Sequence, residues 1–332
     1  MENRKTDHIA LASLSQTSVT EIDNRFYYEP ILAIPPHKVL KPFEFAGKIM
    51  KAPIWISSMT GGTTLAGKIN RNLAKACNEF GLGMGLGSCR ALLENMKHFD
   101  DFNVREIIGE EQPLYANLGI AQIEQLIERD EITKITELIS NLRADGLIVH
   151  INPMQEGLQP EGDSLNSTPL EILKILLQKV KTNIIVKEVG QGFGIRSLAE
   201  LLQLPIKAIE FGAFGGTNFA KLELLRNNDI EAKLFEPLSK IGHGAAEMIS
   251  MLKTIIDLQQ PPIKCNELII SGGINSFLDG FYYMKKSPFK SVYGQASAFL
   301  MYAKNNYEEL QQYIKYQIKG LQMAYSCLSI KN

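Results

Sequence analysis

Cysteine is scarce in this chain. Its 332 residues hold four, Cys77, Cys89, Cys265 and Cys327, and none forms a CxxC pair. That spacing excludes a disulfide framework and a cysteine-rich zinc site, and it fits a reducing compartment. Each isolated cysteine reads as a small buried hydrophobe. An excess of one charge is missing as well. Lys and Arg number 35 against 36 Asp and Glu, for a net charge of −1, so there is no basic footprint for nucleic acid. No apolar run approaches the roughly 20 residues that a membrane helix needs. The stretch "MENRKTDHIALASLSQTS" has no signal-peptide apolar core. A cytoplasmic protein that engages neither membrane nor nucleic acid is expected. Low-complexity segments and linkers rich in Pro, Gly or Ser are also missing.

Hydrophobic residues are plentiful, at 45%, which is ample for a large core. Short apolar runs alternate with helix-like stretches. Buried parallel strands are expected at 53–60, 81–88, 113–119, 146–152, 183–190, 207–214, 267–273 and 291–297. Between them, "TLAGKINRNLAKACNEF", "TPLEILKILLQKV" and "AAEMISMLKTIIDLQ" repeat apolar residues at three and four, as helices do. Thr168 before Pro169 reads as an N-cap, and Gly81 as the glycine that ends a helix. The second run, "GLGMGLGS", is too rich in glycine to be a strand by propensity; its place in the alternation makes it one. Eight evenly spaced strand–helix units predict a TIM (β/α)8 barrel rather than an open sheet. The expectation is a single domain over 1–332, with 1–50 an N-terminal extension and a helix at the C-terminus.

Barrels of this kind carry their chemistry at the C-terminal ends of the strands. Those ends hold Ser58 and Thr60, Ser88, Asn117, His150 and Asn152, Lys187, Gly212 to Gly216 with Thr217, Ser271 to Gly273, and Gly294 with Gln295. Side chains two apart share a strand face, so His150 and Asn152 point the same way. A lone Ser or Asn at a strand end usually caps a turn, and a lone His is usually a hydrogen-bonded structural residue. Their common location moves the balance toward a pocket. Lys187, inside an apolar strand, either pairs with Glu188 or Glu210 or faces an anionic ligand; a strand end favours the second.

Three late glycine segments, "AFGGT", "SGGI" and "GQAS", suit a phosphate cradle of backbone amides near the last strands. A dinucleotide fingerprint is excluded, because "GLGMGLGSCR" lacks the sixth-position glycine and reads as strand. Beyond the fourth strand, "VHINPMQEGLQPEGD" gathers side-chain oxygens. Glu156 there is either a solvated carboxylate or a ligand for Mg²⁺, whose shell substrate phosphates would complete. Gln155 is neutral and suits hydrogen bonding or relayed proton transfer. Arg4, Lys5 and His8 in "RKTDH" either float in solvent or clamp a diphosphate.

These motifs together resemble the type 2, FMN-dependent isopentenyl-diphosphate Δ-isomerases. The resemblance runs over nearly the whole chain: "RKTDH" at 4–8, "SSMTGGT" at 57–63, "GLGMGLGSCR" at 81–90, "ANLG" at 116–119, "HINPMQEGLQPEGD" at 150–163, "VKEVGQGFG" at 186–194, "FGGTNF" at 214–219 and "SGGIN" at 271–275. It implies a barrel that binds FMN and Mg²⁺ and interconverts isopentenyl and dimethylallyl diphosphate. Reduced FMN would do the acid–base work with no net redox change, primed by NAD(P)H or a reduced partner. By this resemblance FMN would contact Ser58, Met59, Thr60, Ser88, Asn117, Lys187, Gly212 and Thr217. Its phosphate would rest on Gly272, Gly273, Asn275, Gln295 and Ala296. The substrate would meet Arg4, Lys5, His8, Ser88, Arg90, His150 and Asn152, with Gln155 near the alkene and Glu156 on the metal. His150, Asn152 and Gln155 would be the catalytic set. A homo-oligomer, tetramer or octamer, is implied.

The chain departs from the family pattern at Cys89 (usually Gln), at Gly212 (often Ser), at Asn275 (usually Arg) and over 241–248, which replaces a "WGIPTA"-like run. None of these removes a presumed catalytic residue. The rival expectation is an FMN-dependent oxidoreductase of the 2-hydroxy-acid oxidase type, with His243 as its histidine. In that enzyme the Gln155–Glu156 loop and the N-terminal Arg4–Lys5 pair would have no purpose.

Overall fold

The computed structural model describes residues 2–58, 61–227, 230–258 and 262–331. Met59 and Thr60, assigned above to the flavin site, lie outside the described residues. The eight expected strands all form, and they close in chain order into one parallel barrel. They are β1 (Ile54–Ile56), β2 (Gly83–Gly85), β3 (Leu114–Gly119), β4 (Gly146–Ile151), β5 (Asn183–Glu188), β6 (Ala208–Glu210), β7 (Glu267–Ser271) and β8 (Lys290–Gln295). Most are shorter than the apolar runs that announced them. The polar strand ends Asn117, His150, Lys187, Glu210, Ser271 and Gln295 remain in the ladder, which fixes their side chains by register.

Each strand buries both faces, as parallel strands under helices must. The outward residues Ile54, Met84, Val149, Val186 and Ile270 join the main core against the helices. The inward residues Trp55, Tyr115, Ile148, Ile185, Ala208, Ile269 and Val292 form a second, separate cluster inside the barrel. The glycines of β2 now have a reason. A Cβ on Gly83 would sit 2.4 Å from the Trp55 ring, and one on Gly85 would sit 2.3 Å from Ile148 Cδ1. Both positions face inward, where the neighbouring strands' large side chains leave no room. Met84 between them faces out.

The N-terminal extension does something the sequence did not announce. Phe43–Phe45 and Lys48–Met50 form an antiparallel hairpin that turns through Ala46 and Gly47, both at positive φ. Phe45, Ala46 and Met50 are fully buried among the inward barrel residues. Tyr115 Oη donates to Ala46 O at 2.8 Å, and Glu267 Oε2 accepts from Ala46 N at 2.9 Å. The hairpin is the floor of the barrel. A second tie joins Phe26–Tyr28 antiparallel to Leu328–Ile330.

The helices form where their caps indicate. Thr64–Phe80 starts at Thr63 and ends at Gly81 in the left-handed conformation. Pro169–Lys179 starts at Thr168, which shares a capping box with Glu171. Segment 281–286 is helix core: Phe281 and Met284 are buried. Three of the four cysteines are buried and all are free; burial pushes the Cys89 and Cys265 thiols up to about 12, so these two stay inert at neutral pH. Among the described residues, no helix is long and apolar enough to cross a membrane.

Candidate active site

Two residues above the apolar inward layer, the same strand faces turn polar. Trp55 is followed by Ser57, Tyr115 by Asn117, Ile148 by His150, Ile185 by Lys187, Ala208 by Glu210 and Ile269 by Ser271. The strand period of two thus lays a polar tier directly on the apolar one. Three of its members adjoin in the ladder, with His150 opposite Lys187 and Lys187 opposite Glu210.

His150 Nδ1 lies 2.7 Å from Asn117 Oδ1, and Asn117 Nδ2 donates to Leu86 O at 3.1 Å. Burial, aided by the Lys187 cation, pushes the His150 pKa down to about 3. Lys187 is 7% exposed, and its Nζ donates to Glu188 O at 3.2 Å. Glu188 in turn accepts the backbone N–H groups of Gly190, Gln191 and Gly192 at 2.6 to 2.7 Å. That bonding shapes the loop after β5.

A cavity opens over part of the tier; Asn117, His150, Asn152, Gln155 and Glu156 are not among its lining residues. Ser57, Ser58, Lys187, Glu210, Gly212 and Thr217 line one part of it; Gly272, Gly273, Asn275, Gln295 and Ala296 line the other. The second part is built from backbone. A Cβ on Gly272 would fall 2.0 Å from Ala213 O, and its φ is +86°, so only glycine fits. Gly212 is equally constrained, at φ +52° with a Cβ position 2.0 Å from Glu188 O. Asp279 Oδ2 accepts from the backbone N–H of Asn275 and of Ser276 at 3.0 and 2.9 Å, and its other oxygen pairs with Arg25 of the extension at 2.7 Å. The helix Ser297–Asn305 begins at this end of the cavity, and such a terminus suits an anion. Gln295 is held on both sides: Nε2 donates to Ile274 O at 2.9 Å, and Oε1 accepts from Tyr313 at 2.8 Å. Its side chain braces the glycine loop, while its backbone carbonyl accepts from Ser57 N at 3.0 Å in the ladder.

The rim above carries the loop after β4. Asn152 is 3% exposed and donates to Glu156 Oε1 at 2.8 Å and to Gln155 Oε1 at 3.2 Å. Glu156 Oε2 accepts from Asp163 N at 2.9 Å. Gln155 Nε2 donates to Glu223 Oε1 at 3.0 Å, and Glu223 also pairs with Arg226 at 2.6 Å. Sequence reasoning missed Glu223. Its signal was an acidic residue on helix Phe219–Asn227 between the buried Ala220 and Leu224.

Other expected residues stand apart from the cavity. Ser88 and Arg90 are exposed; Arg90 pairs with Asp163 at 3.0 Å, and so ties to the same rim loop. Arg4, Lys5 and His8 lie on an exposed helix, Glu2–Leu11, and line no part of the cavity. His243 pairs with Glu247 at 3.0 Å outside the cavity lining. Among the described residues, no three His, Cys, Asp or Glu side chains converge as a metal cage. A cation at Glu156 would therefore draw its remaining ligands from water and substrate oxygens.

The tier fits a flavin in polarity. Ser57 Oγ, Ser58 Oγ, Asn152 Oδ1 and both Glu210 carboxylate oxygens are buried without a hydrogen-bond partner. Buried polar atoms are normally satisfied, so this cluster calls for a polar ligand.

No protein-family model matches the chain. Curated relatives do. It is 30% identical over 329 residues to the isopentenyl-diphosphate delta-isomerase of Rickettsia felis, covering 98% of this chain and 92% of the relative. It is 34% identical to the enzyme of the same name from Pyrobaculum arsenaticum, covering 84% and 78%, and 33% identical to that of Synechocystis, covering 86% and 78%. Among solved structures, the flavin-binding domain of baker's yeast flavocytochrome b2 superposes with a TM-score of 0.61 at 13% identity, over 90% of this chain and 71% of that one. A mandelate oxidase variant with a monooxide FMN adduct gives 0.57 at 10%, over 93% and 88%. These two likenesses show the barrel fold.

Proposed function

Because the chain belongs to the isopentenyl-diphosphate delta-isomerase family, we propose that its barrel mouth binds FMN and Mg²⁺ and converts isopentenyl to dimethylallyl diphosphate. The observation that supports this most is the stacking of two polar levels. Lys187, His150 and Asn117 form a tier inside the mouth, and Asn152, Gln155 and Glu156 form a rim above it. A flat cofactor over the tier would leave its upper face to a substrate held by the rim. Two proteins alike in fold, a mandelate oxidase with an FMN adduct and a flavin-binding domain, support FMN here.

Reduced FMN, when bound, would supply the proton chemistry that an unactivated alkene needs and that no side chain here offers. The chain's own residues bind and orient. Lys187 presents its ammonium to the flavin's electron-rich edge. The backbone at Gly272, Gly273 and Asn275 takes the cofactor phosphate. Asn152 holds both Gln155 and Glu156 by its amide, so the metal ligand and the residue nearest the alkene move as one unit. Glu223 fixes the Gln155 amide with Nε2 pointing away from the rim and Oε1 toward Asn152. Arg90 and His150 are the diphosphate contacts, joined by Arg4, Lys5 and His8 once the exposed N-terminal helix folds over. Positioning by fixed hydrogen bonds is worth several powers of ten in rate.

NAD(P)H is the proposed reductant, in a cytoplasmic setting. A homo-oligomer is also proposed; the extension carries exposed apolar side chains at Ile9, Leu14, Val19, Ile31 and Leu32 that a partner would cover. The test is an anaerobic assay with isopentenyl diphosphate, FMN, Mg²⁺ and dithionite. Dimethylallyl diphosphate should form only when the flavin is reduced. Bound, reduced flavin with no product would overturn the isomerase and favour an oxidoreductase.

A further inference from the structure

The proposed mechanism leaves unused a buried carboxyl that lines the cavity. Glu210 ends β6, is 0% exposed, and has neither carboxylate oxygen in a hydrogen bond. Burial raises its pKa, while Lys187 and then the Ser57 and Ser271 hydroxyls pull it back. A buried carboxylate either takes up a proton or is held by a cation. The nearest cation by register is Lys187, directly across the ladder.

The pair does not behave like a structural ion pair. Such a pair closes to contact and excludes solvent. The Lys187 ammonium and the Glu210 carboxylate do not come within 4.0 Å of each other, and both residues line the cavity. The Lys187 ammonium makes one hydrogen bond, to Glu188 O, so it keeps donors for a ligand. Ser271 Oγ accepts from Gly212 N at 3.0 Å, which leaves its O–H free to face the carboxylate. Glu210 therefore lines the cavity beside Lys187, and this buried carboxyl stays charged only while that cation is present.

We propose that Glu210 is a positioning residue that aims the Lys187 ammonium and offsets part of its charge, and so sets how far the pocket prefers reduced over oxidised flavin. This rests on the FMN reading above. An anion placed beside a cation weakens the field that the cation projects on a third group. A pocket that keeps Lys187 but loses the Glu210 charge should hold the electron-rich reduced flavin more tightly.

The experiment uses the full chain and FMN itself. FMN is titrated into wild type by fluorescence quenching, and the midpoint potential of the bound flavin is then measured for wild type, E210Q, E210D, K187M and K187M/E210Q. E210Q should favour reduced over oxidised FMN by about tenfold more than wild type, an upward shift of about 30 mV for a two-electron couple. E210D, which keeps the charge, should stay close to wild type. K187M should shift the opposite way, and K187M/E210Q should match K187M alone. A wild type that binds no FMN overturns the flavin reading and this proposal with it. Wild type that binds FMN, with E210Q at the wild-type potential and merely less stable, overturns the proposal alone. Should E210Q not fold, the two variants lacking Lys187 decide: equal potentials support action through Lys187, and unequal ones overturn it.

Discussion

His150 and Asn117 are locked in one sense. Asn117 Nδ2 is committed to the Leu86 carbonyl, so its Oδ1 faces His150 Nδ1 at 2.7 Å and must accept from it. The neutral ring therefore carries its proton on Nδ1 and presents an unprotonated Nε2. That nitrogen is an acceptor, ill-suited to a phosphate oxygen until it takes up a proton.

A neutral buried histidine has a stability signature. The His150 pKa is about 3 in the fold against the ordinary 6.5. Between those values the unfolded chain binds a proton that the folded chain does not. Stability then rises with pH up to about 6.5 and is level above it. We expect wild type to lose up to about 1.4 kcal/mol per pH unit below 6.5 from this group. His150→Gln should remove that component. Parallel stability–pH curves from urea denaturation would contradict it.

Lys187 is 7% exposed and lines the cavity. Lys187→Ala should weaken FMN binding at least about tenfold, the worth of one charge-assisted hydrogen bond of roughly 1.5–3 kcal/mol. Flavin fluorescence quenching reads this directly. A yellow variant of wild-type affinity would dismiss the role.

Glu156 and the flavin should separate cleanly. Glu156→Gln keeps the Asn152 contact but loses the charge. The Mg²⁺ concentration for half-maximal rate should rise by an order of magnitude or more, with FMN affinity unchanged. An unaltered metal titration would remove Glu156 from the metal site.

Two glycines should answer oppositely to the same substitution. Gly83→Ala drives a methyl to 2.4 Å from Trp55, and overpacking of that kind costs about 1–3 kcal/mol. Gly157, in helix Pro153–Leu158, has nothing within 4 Å of its Cβ position. Gly157→Ala should hold or raise the melting temperature. Equal melting temperatures for the two variants would refute the steric account of β2.

Much of this molecule was legible because the barrel repeats one instruction eight times. Apolar runs such as "GLIVHIN" carry their strand and its polar tip together. β2 was legible only from its place, since the cause of its glycines is Trp55 and Ile148 on other strands. The floor hairpin was not legible at all. Its strands are three residues each, and what fixes them is contact with Tyr115 and Glu267, far along the chain. In the site, residues borne on strand ends could be read by counting in twos. Glu223 could not, because an acidic residue three before Arg226 on a helix looks like an ordinary surface pair. Ser88 and Arg90 show the reverse: the motif was plain, but both side chains are exposed away from the cavity lining.

The hairpin at 43–50 fills one end of the barrel with Phe45, Ala46 and Met50. In the proposed seating, substrate lies between the rim of Asn152, Gln155 and Glu156 and a flavin over Lys187 and Glu210. With a flavin seated as proposed, the occupants queue: the first in is the last out. Substrate and product trade places above a cofactor that stays put, and a saturating diphosphate should slow the escape of FMN as a cork slows a bottle.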